Sequence, residues 1–202
     1  MQLYPNTFGI AAESMKNITP ISFSDIEFVQ LTPDSSADFS DFFCEEEELN
    51  DYLKNDAKKE CADMFSTTHL LYYQGDLVGY FSLVTDTIID KRLRRSICYP
   101  YGDQLPAIKI ARLARDAKYK KCGIGFIIMQ KIFLLTYFIT KKAGCRLLTV
   151  DAKESAIHYY EEYSFVKGHE KRRETSMFLD IKEMVDKMDA DIKSRGKLIG
   201  ST

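Results

Sequence analysis

The chain has 202 residues, 45% of them hydrophobic, with 13 Phe, 12 Tyr and no Trp, and its formal net charge is -2. That length suits one domain with a sizeable core, and the near-balanced charge argues against a protein that coats nucleic acid through bulk charge. Cys44, Cys61, Cys98, Cys122 and Cys145 are widely spaced, with no CxxC pair and no Cys/His cluster at zinc-ligand spacing, so reduced thiols, a cytoplasmic location and no metal are expected.

The opening residues, MQLYPNTFGIAAESMKN, lack a charged start followed by an apolar run and do not read as a signal peptide. Residues 1–20 show no periodicity and are expected to form a tail. A first strand is expected over Ile26–Leu31, ended by Pro33. From Cys44 the run EEEELNDYLKNDAKKECADM places Leu49, Tyr52, Leu53 and Ala57 at helical spacing, with acids early and lysines late, as the helix dipole favours. Thr67–Tyr73 and Leu77–Thr85 flank Gln74-Gly75-Asp76 and read as a hairpin. Residues 87–105 carry a KRLRR run and Pro100, with Pro106 just after, and read as a long loop.

Ala107–Asp116 alternates and is expected to be a strand. The apolar stretch Ile124–Ile139 follows, with Gln130 and Lys131 in its middle. A central charge is expensive in a bilayer, so a buried helix is expected there and no membrane span. Gly144 is expected to close that helix. Cys145–Val150 is the next strand, Ser155–Tyr163 a short helix, and Phe165–Gly168 with Ser176–Leu179 a last strand pair. A charged helix runs from Ile181 to about Ser194. Residues 21–180 thus form the expected domain, and 181–202 a terminal helix and tail. The order of elements predicts a mixed α/β fold built on a central twisted sheet.

The informative unit is IARLARDAKYKKCGIGFIIMQK, a strand, a short turn and a helix. Gly123 and Gly125 open the helix, where the absence of a Cβ lets a ligand reach the backbone. The first-turn N–H groups and the helix dipole together favour phosphate, and Lys118, Lys120 and Lys121 stand beside them. Neither the third glycine of a dinucleotide fold nor the GKS/GKT of a P-loop is present.

ARLARDAKYKKCGIG resembles the acetyl-CoA-binding motif of the GNAT superfamily of N-acetyltransferases, commonly Q/R-x-x-G-x-G/A after a strand ending in a run such as RLAV. AIHYYEEYSF is similar to the family's A-x-x-FYEKxGF segment. FFCEEEELNDYLKNDA with LVGYFSLV resembles a bacterial branch that includes acetyltransferases paired with antitoxins. The resemblance spans residues 26–180.

It implies acetyl-CoA as co-substrate. Backbone groups of Leu113, Ala114 and Arg115 would hold the pantetheine arm, and Lys120, Lys121, Cys122, Gly123, Ile124 and Gly125 the pyrophosphate. Tyr160 would protonate the leaving thiolate. The sequence departs from the pattern at Lys120, Cys122, Arg115 and Ser164, the last replacing a glycine. Strand 107–115 lacks a carboxylate, which leaves Asp116 and Asp151 as candidate general bases, each with an alternative structural role. The implied acceptor is an amine, with aminoacyl-tRNA and an antitoxin partner as the toxin-type alternative, and a non-catalytic CoA-binding module as a third. The basic runs 91–95 and 171–173 would steer an RNA backbone if they share a face with Lys118–Lys121. The apolar helix also allows a homodimer.

Overall fold

The computed structural model describes residues 21–89, 93, 97, 100, 102, 104–170 and 174–199. The expected tail and, apart from Leu93, both basic runs lie outside these residues. The described residues gather into two compact units, one of residues 21–86 and 108–136, the other of residues 87–107 and 137–199.

In the first unit β1 (Glu27–Gln30), β2 (Thr67–Tyr73), β3 (Asp76–Ile88) and β4 (Leu105–Arg115) lie side by side in that order. β1 and β2 are antiparallel, with Gln30 opposite His69, and β2 and β3 are antiparallel, with Thr67 opposite Leu83. Their hairpin turns through Gln74 (φ 52°) and Gly75 (φ 92°). Two consecutive left-handed residues match the right-handed twist of paired strands, which is why the hairpin can be this tight.

The acid-to-lysine run folds as α1 (Glu47–Asp51), a π-helical turn (Tyr52–Asp56) and α2 (Ala57–Ala62). Tyr52, Leu53 and Ala57 are buried with Leu31, Phe39, Phe42, Leu70, Tyr80 and Ala114, and Leu49 packs against them, so the spacing read from the sequence marks the core face. Met64 (φ 60°) ends the segment, with Phe65 N–H donating to Glu60 O at 2.9 Å and Met64 N–H to Cys61 O at 3.2 Å. Those bonds satisfy carbonyls that a helix end leaves unpaired.

α3 (Ile124–Thr140) buries Ile124, Ile127, Ile128, Met129, Ile132 and Phe133. The charge in its middle is accommodated because Lys131 Nζ lies 4.5 Å from the centre of the Phe28 ring. No helix among the described residues is long and apolar enough to cross a membrane. A Cβ at Gly79 of β3 would stand 3.0 Å from Ala114 O and 3.1 and 3.2 Å from Ile128 and Ile124. Gly79 therefore sets how closely the start of α3 seats on the sheet. Gly79→Val is expected to lower the unfolding free energy by about 2–3 kcal/mol in urea titrations, as overpacking does. An unchanged midpoint would contradict this packing account.

His69 is 8% exposed and stacks on Phe81 at 4.9 Å. Burial first, and the nearby Lys131 charge second, push its pKa down to about 4. The unfolded chain takes up this proton near pH 6.5, the folded chain only near pH 4. Stability therefore falls as pH drops through that window, by on the order of 3 kcal/mol once both states are protonated. His69→Gln should flatten that stretch of the stability curve, read as urea midpoints at pH 7.5 and pH 5. A slope that persists in the variant would remove His69 as its source.

In the second unit β5 (Leu147–Ala152), β6 (Val166–Glu170) and β7 (Thr175–Asp180) run antiparallel in the order β5-β7-β6, with Leu147 opposite Asp180 and Val166 opposite Phe178. Arg146 closes the end of this ladder, its Nε and one terminal amino group donating to the two Asp180 carboxylate oxygens at 2.7 and 2.8 Å. α4 (Ile157–Glu161) precedes β6, and α5 (Lys182–Ile199) runs several residues beyond the expected end. Asp189 of α5 accepts from Tyr137 and Lys141, both at 2.7 Å. Leu93, Leu105, Ala107 and Leu147 form the buried cluster of this unit.

Gly144 does not cap α3 as expected. The helix ends at Thr140, Ala143 N–H and Lys142 N–H both bond to Ile139 O, and Gly144 is not left-handed. Cys44, Cys61, Cys122 and Cys145 are free thiols.

Candidate active site

The site begins where β4 turns into α3. β4 alternates burial at its end, so Ala114 enters the core while Leu113 and Arg115 are half-buried. Asp116 then stops the strand. It is 2% exposed, its Oδ2 accepts from Phe43 N–H at 3.1 Å, and its Oδ1 accepts from Lys118 N–H at 2.8 Å. Both oxygens hold backbone, so Asp116 is the cap of the turn Ala117–Tyr119 and not a free base. Ala117 N–H donates to Phe43 O at 2.8 Å, completing a two-way tie to the segment before α1.

Tyr119 fixes the turn from the other side by donating to Asp76 Oδ2 at 2.7 Å, a bond that pushes its pKa up to about 12. The chain then passes through Lys121 (φ 68°) and Gly123 (φ 83°) before Ile127 N–H closes the first helical bond on Gly123 O at 3.1 Å. The left-handed value at Gly123 is one that L-residues with bulky side chains resist. Gly123 leaves no side chain at the residue just before α3, and the N-terminal end of a helix is the end that suits a phosphate. Ile21 N–H donates to Cys122 O at 3.2 Å from the amino-terminal side.

Lys118, Lys120 and Lys121 are all exposed. Lys120 Nζ lies 2.6 Å from Glu45 Oε1, and an Arg115 amino group lies 4.0 Å from Glu45 Oε2. The Lys120 hydrogen bond holds the Glu45 carboxyl below its ordinary range. Glu45 was missed from the sequence because 75 residues separate it from Lys120. Its only sequence signal is an acid just before a helix start. Phe43 and Asp76, whose contacts set the turn, carry no sequence signal.

Tyr160 belongs to the second unit and lies in α4. It is 6% exposed, packed against Tyr159 at 5.0 Å and Phe165 at 5.5 Å between ring centres. The helix end explains how it is held. Phe165 N–H donates to Tyr160 O at 3.2 Å, Ser164 N–H donates to Glu161 O at 2.9 Å, and Ser164 is left-handed at φ 66°. This is a Schellman ending with its usual apolar contact, here between the rings of Tyr160 and Phe165. It also explains the departure at Ser164, since a left-handed position is the one glycine fills without strain. Burial alone pushes the Tyr160 hydroxyl above its ordinary pKa, which keeps it a phenol at neutral pH. Asp151, the other candidate base, is half-buried in β5 opposite Ser176.

Residues 29–165 match the model of the acetyltransferase (GNAT) family. Among solved structures, the chain is similar to a mutant of the toxin AtaT bound to the C-terminus of the antitoxin AtaR and acetyl-CoA, with a TM-score of 0.68 and 20% identity over 79% of this chain and 95% of that one. It is also similar to AtaT complexed with acetyl-methionyl-tRNAfMet, at TM-score 0.70 and 21% identity over 79% and 97%. A mutant of KacT gives TM-score 0.70 and 21% identity over 81% and 99%. At these identities the structures share the fold, the mixed α/β one expected from the sequence. Because the family model covers more than half of the chain, the protein belongs to the acetyltransferase (GNAT) family and is an N-acetyltransferase of that class.

Proposed function

We propose that the protein moves the acetyl group of acetyl-CoA to a primary amine by direct attack. The observation that carries this reading is the bend at Lys121 and Gly123, which opens the N-terminus of α3 beside Lys120. Lys120 through Gly125 hold the pyrophosphate, and backbone groups of Leu113, Ala114 and Arg115 pair with the pantetheine arm. The amine lone pair attacks the thioester carbonyl, the C–N bond forms and the C–S bond breaks. The thiolate takes the Tyr160 proton, and the new ammonium gives its proton to water. With both Asp116 oxygens engaged, no carboxylate is assigned as base, and the rate is expected to rise with pH as the acceptor amine deprotonates.

One observation favours a particular acceptor. The similar structures include a toxin complexed with acetyl-methionyl-tRNAfMet and one bound to its antitoxin. On this second reading the acceptor is the α-amino group of an aminoacyl-tRNA, and a small antitoxin covers the enzyme. Radiolabelled acetyl-CoA incubated with charged tRNA and with a panel of polyamines and proteins separates the two. Label on tRNA that mild base releases with the amino acid supports the toxin-type reading, and label on the panel supports a general amine acceptor. Tight acetyl-CoA binding with no transfer to either would replace both with a CoA-binding module.

A further inference from the structure

Arg112 lies on β4 two residues before Ala114, hence on the same face of the sheet. Ala114 packs there with Tyr52, Leu53 and Tyr80, so this face is the one that the helical segment 47–62 covers. The Arg112 guanidinium carbon lies 5.0 Å from the centre of the Tyr52 ring. Tyr52 is itself fixed, its hydroxyl contacting Ser66, Thr68 and Ser82 at 3.1, 3.3 and 3.1 Å and Glu60 at 3.2 Å. The ring is a rigid platform under a planar cation.

The cation is poorly compensated. One terminal amino group donates to Ala111 O at 2.8 Å, and Nε is buried without a hydrogen bond. Among the described residues no carboxylate is ion-paired with Arg112. The nearby Glu60 is bonded to the Tyr52 hydroxyl. A half-buried guanidinium presents five donors, and leaving its charge without an anion is costly even over an aromatic face. Of its nitrogens only Nε is enclosed without a partner, which leaves the terminal edge to receive two oxygens. β4 runs on for about four residues, roughly 13 Å, from Arg112 to Asp116 before the turn that leads to the bend.

We propose that Arg112 is the anchor of the acceptor, receiving a carboxylate or phosphate that the acceptor carries near its amine. The proposal rests on the acetyl-transfer reading and adds a requirement to it: good acceptors are amines with an adjoining oxyanion. Exposed Lys118 and Lys121 supply general attraction, whereas Arg112 supplies a fixed two-point contact.

The test compares three acceptors that share one α-amine: a free amino acid, its uncharged amide, and the same residue esterified to a short RNA hairpin. Arg112→Gln should raise KM for the anionic acceptor by about tenfold or more, the scale of a lost charge-assisted contact. The kcat, the amide KM and the acetyl-CoA Kd should stay within about twofold. Arg112→Lys, which keeps charge but lacks the fork, should recover part of the loss. Loss on the free acid assigns the contact to a carboxylate, and loss on the hairpin alone assigns it to a phosphate. Equal loss on the amide would overturn the proposal, as would a lower melting temperature with weakened acetyl-CoA binding in both variants, which would make Arg112 structural. A wild-type enzyme that acetylates only uncharged amines would overturn it too while leaving acetyl transfer intact. No transfer to any acceptor would instead remove the acetyl-transfer reading on which it rests.

Discussion

Tyr160→Phe is expected to lower kcat by about 10²- to 10⁴-fold, the range a positioned proton donor contributes, with acetyl-CoA affinity within about twofold of wild type. The variant removes one hydroxyl from a ring held by the Phe165 contact and the helix ending at Ser164, so the packing stays in place. Burial raises the pKa of that hydroxyl. The sign matters for the pH profile: a phenol pushed upward remains protonated across neutral pH, so no loss of activity from Tyr160 ionisation should appear below pH 10. The same shift makes it a weaker acid whose proton is present throughout the neutral range. Stopped-flow measurement of CoA release gives kcat, and melting temperature checks the fold. A kcat within threefold of wild type would remove Tyr160 as the donor.

Gly123→Val is expected to abolish acetyl-CoA binding while the protein stays folded. At φ 83° a β-branched residue is strained by about 1–3 kcal/mol, and on the proposed reading its side chain would stand at the helix start that the pyrophosphate needs. The apo melting temperature should drop by a few degrees, on the scale of that strain. The rise that saturating acetyl-CoA gives the wild-type protein should vanish, since only ligand bound to the folded state raises it. A variant that melts lower yet keeps the full ligand-induced rise would reduce Gly123 to a structural turn.

The strand–turn–helix unit was legible because its signals are local. Alternation ends at Asp116, glycines follow within a few residues, and an apolar run begins. The core face of the first helical segment was legible for the same reason, since Tyr52, Leu53 and Ala57 are buried as their spacing required. What escaped the sequence is non-local. Glu45 meets Lys120 across 75 residues, and Phe43 reaches Asp116 across 73. Gly79 looks like an ordinary strand residue until Ile124 and Ile128 are found seated on it. The π turn at Tyr52 has no marker in composition, and the Tyr52 hydroxyl contacts there, to Ser66, Thr68 and Ser82, reach 14 to 30 residues along the chain. Gly144 misled for a local reason: the chain leaves α3 before reaching it. Ser164 was an apparent blemish in the motif, and the left-handed turn there shows which conformation the motif's glycine serves.

The central claim is that the bend between β4 and α3 is an acetyl-CoA site, and isothermal titration of the purified protein with acetyl-CoA tests it most directly. The expected result is one binding event per chain that CoA competes away, that ATP does not, and that Gly123→Val lacks. Absence of binding heat and of any competition signal at millimolar acetyl-CoA would contradict the account and leave the bend as structure alone.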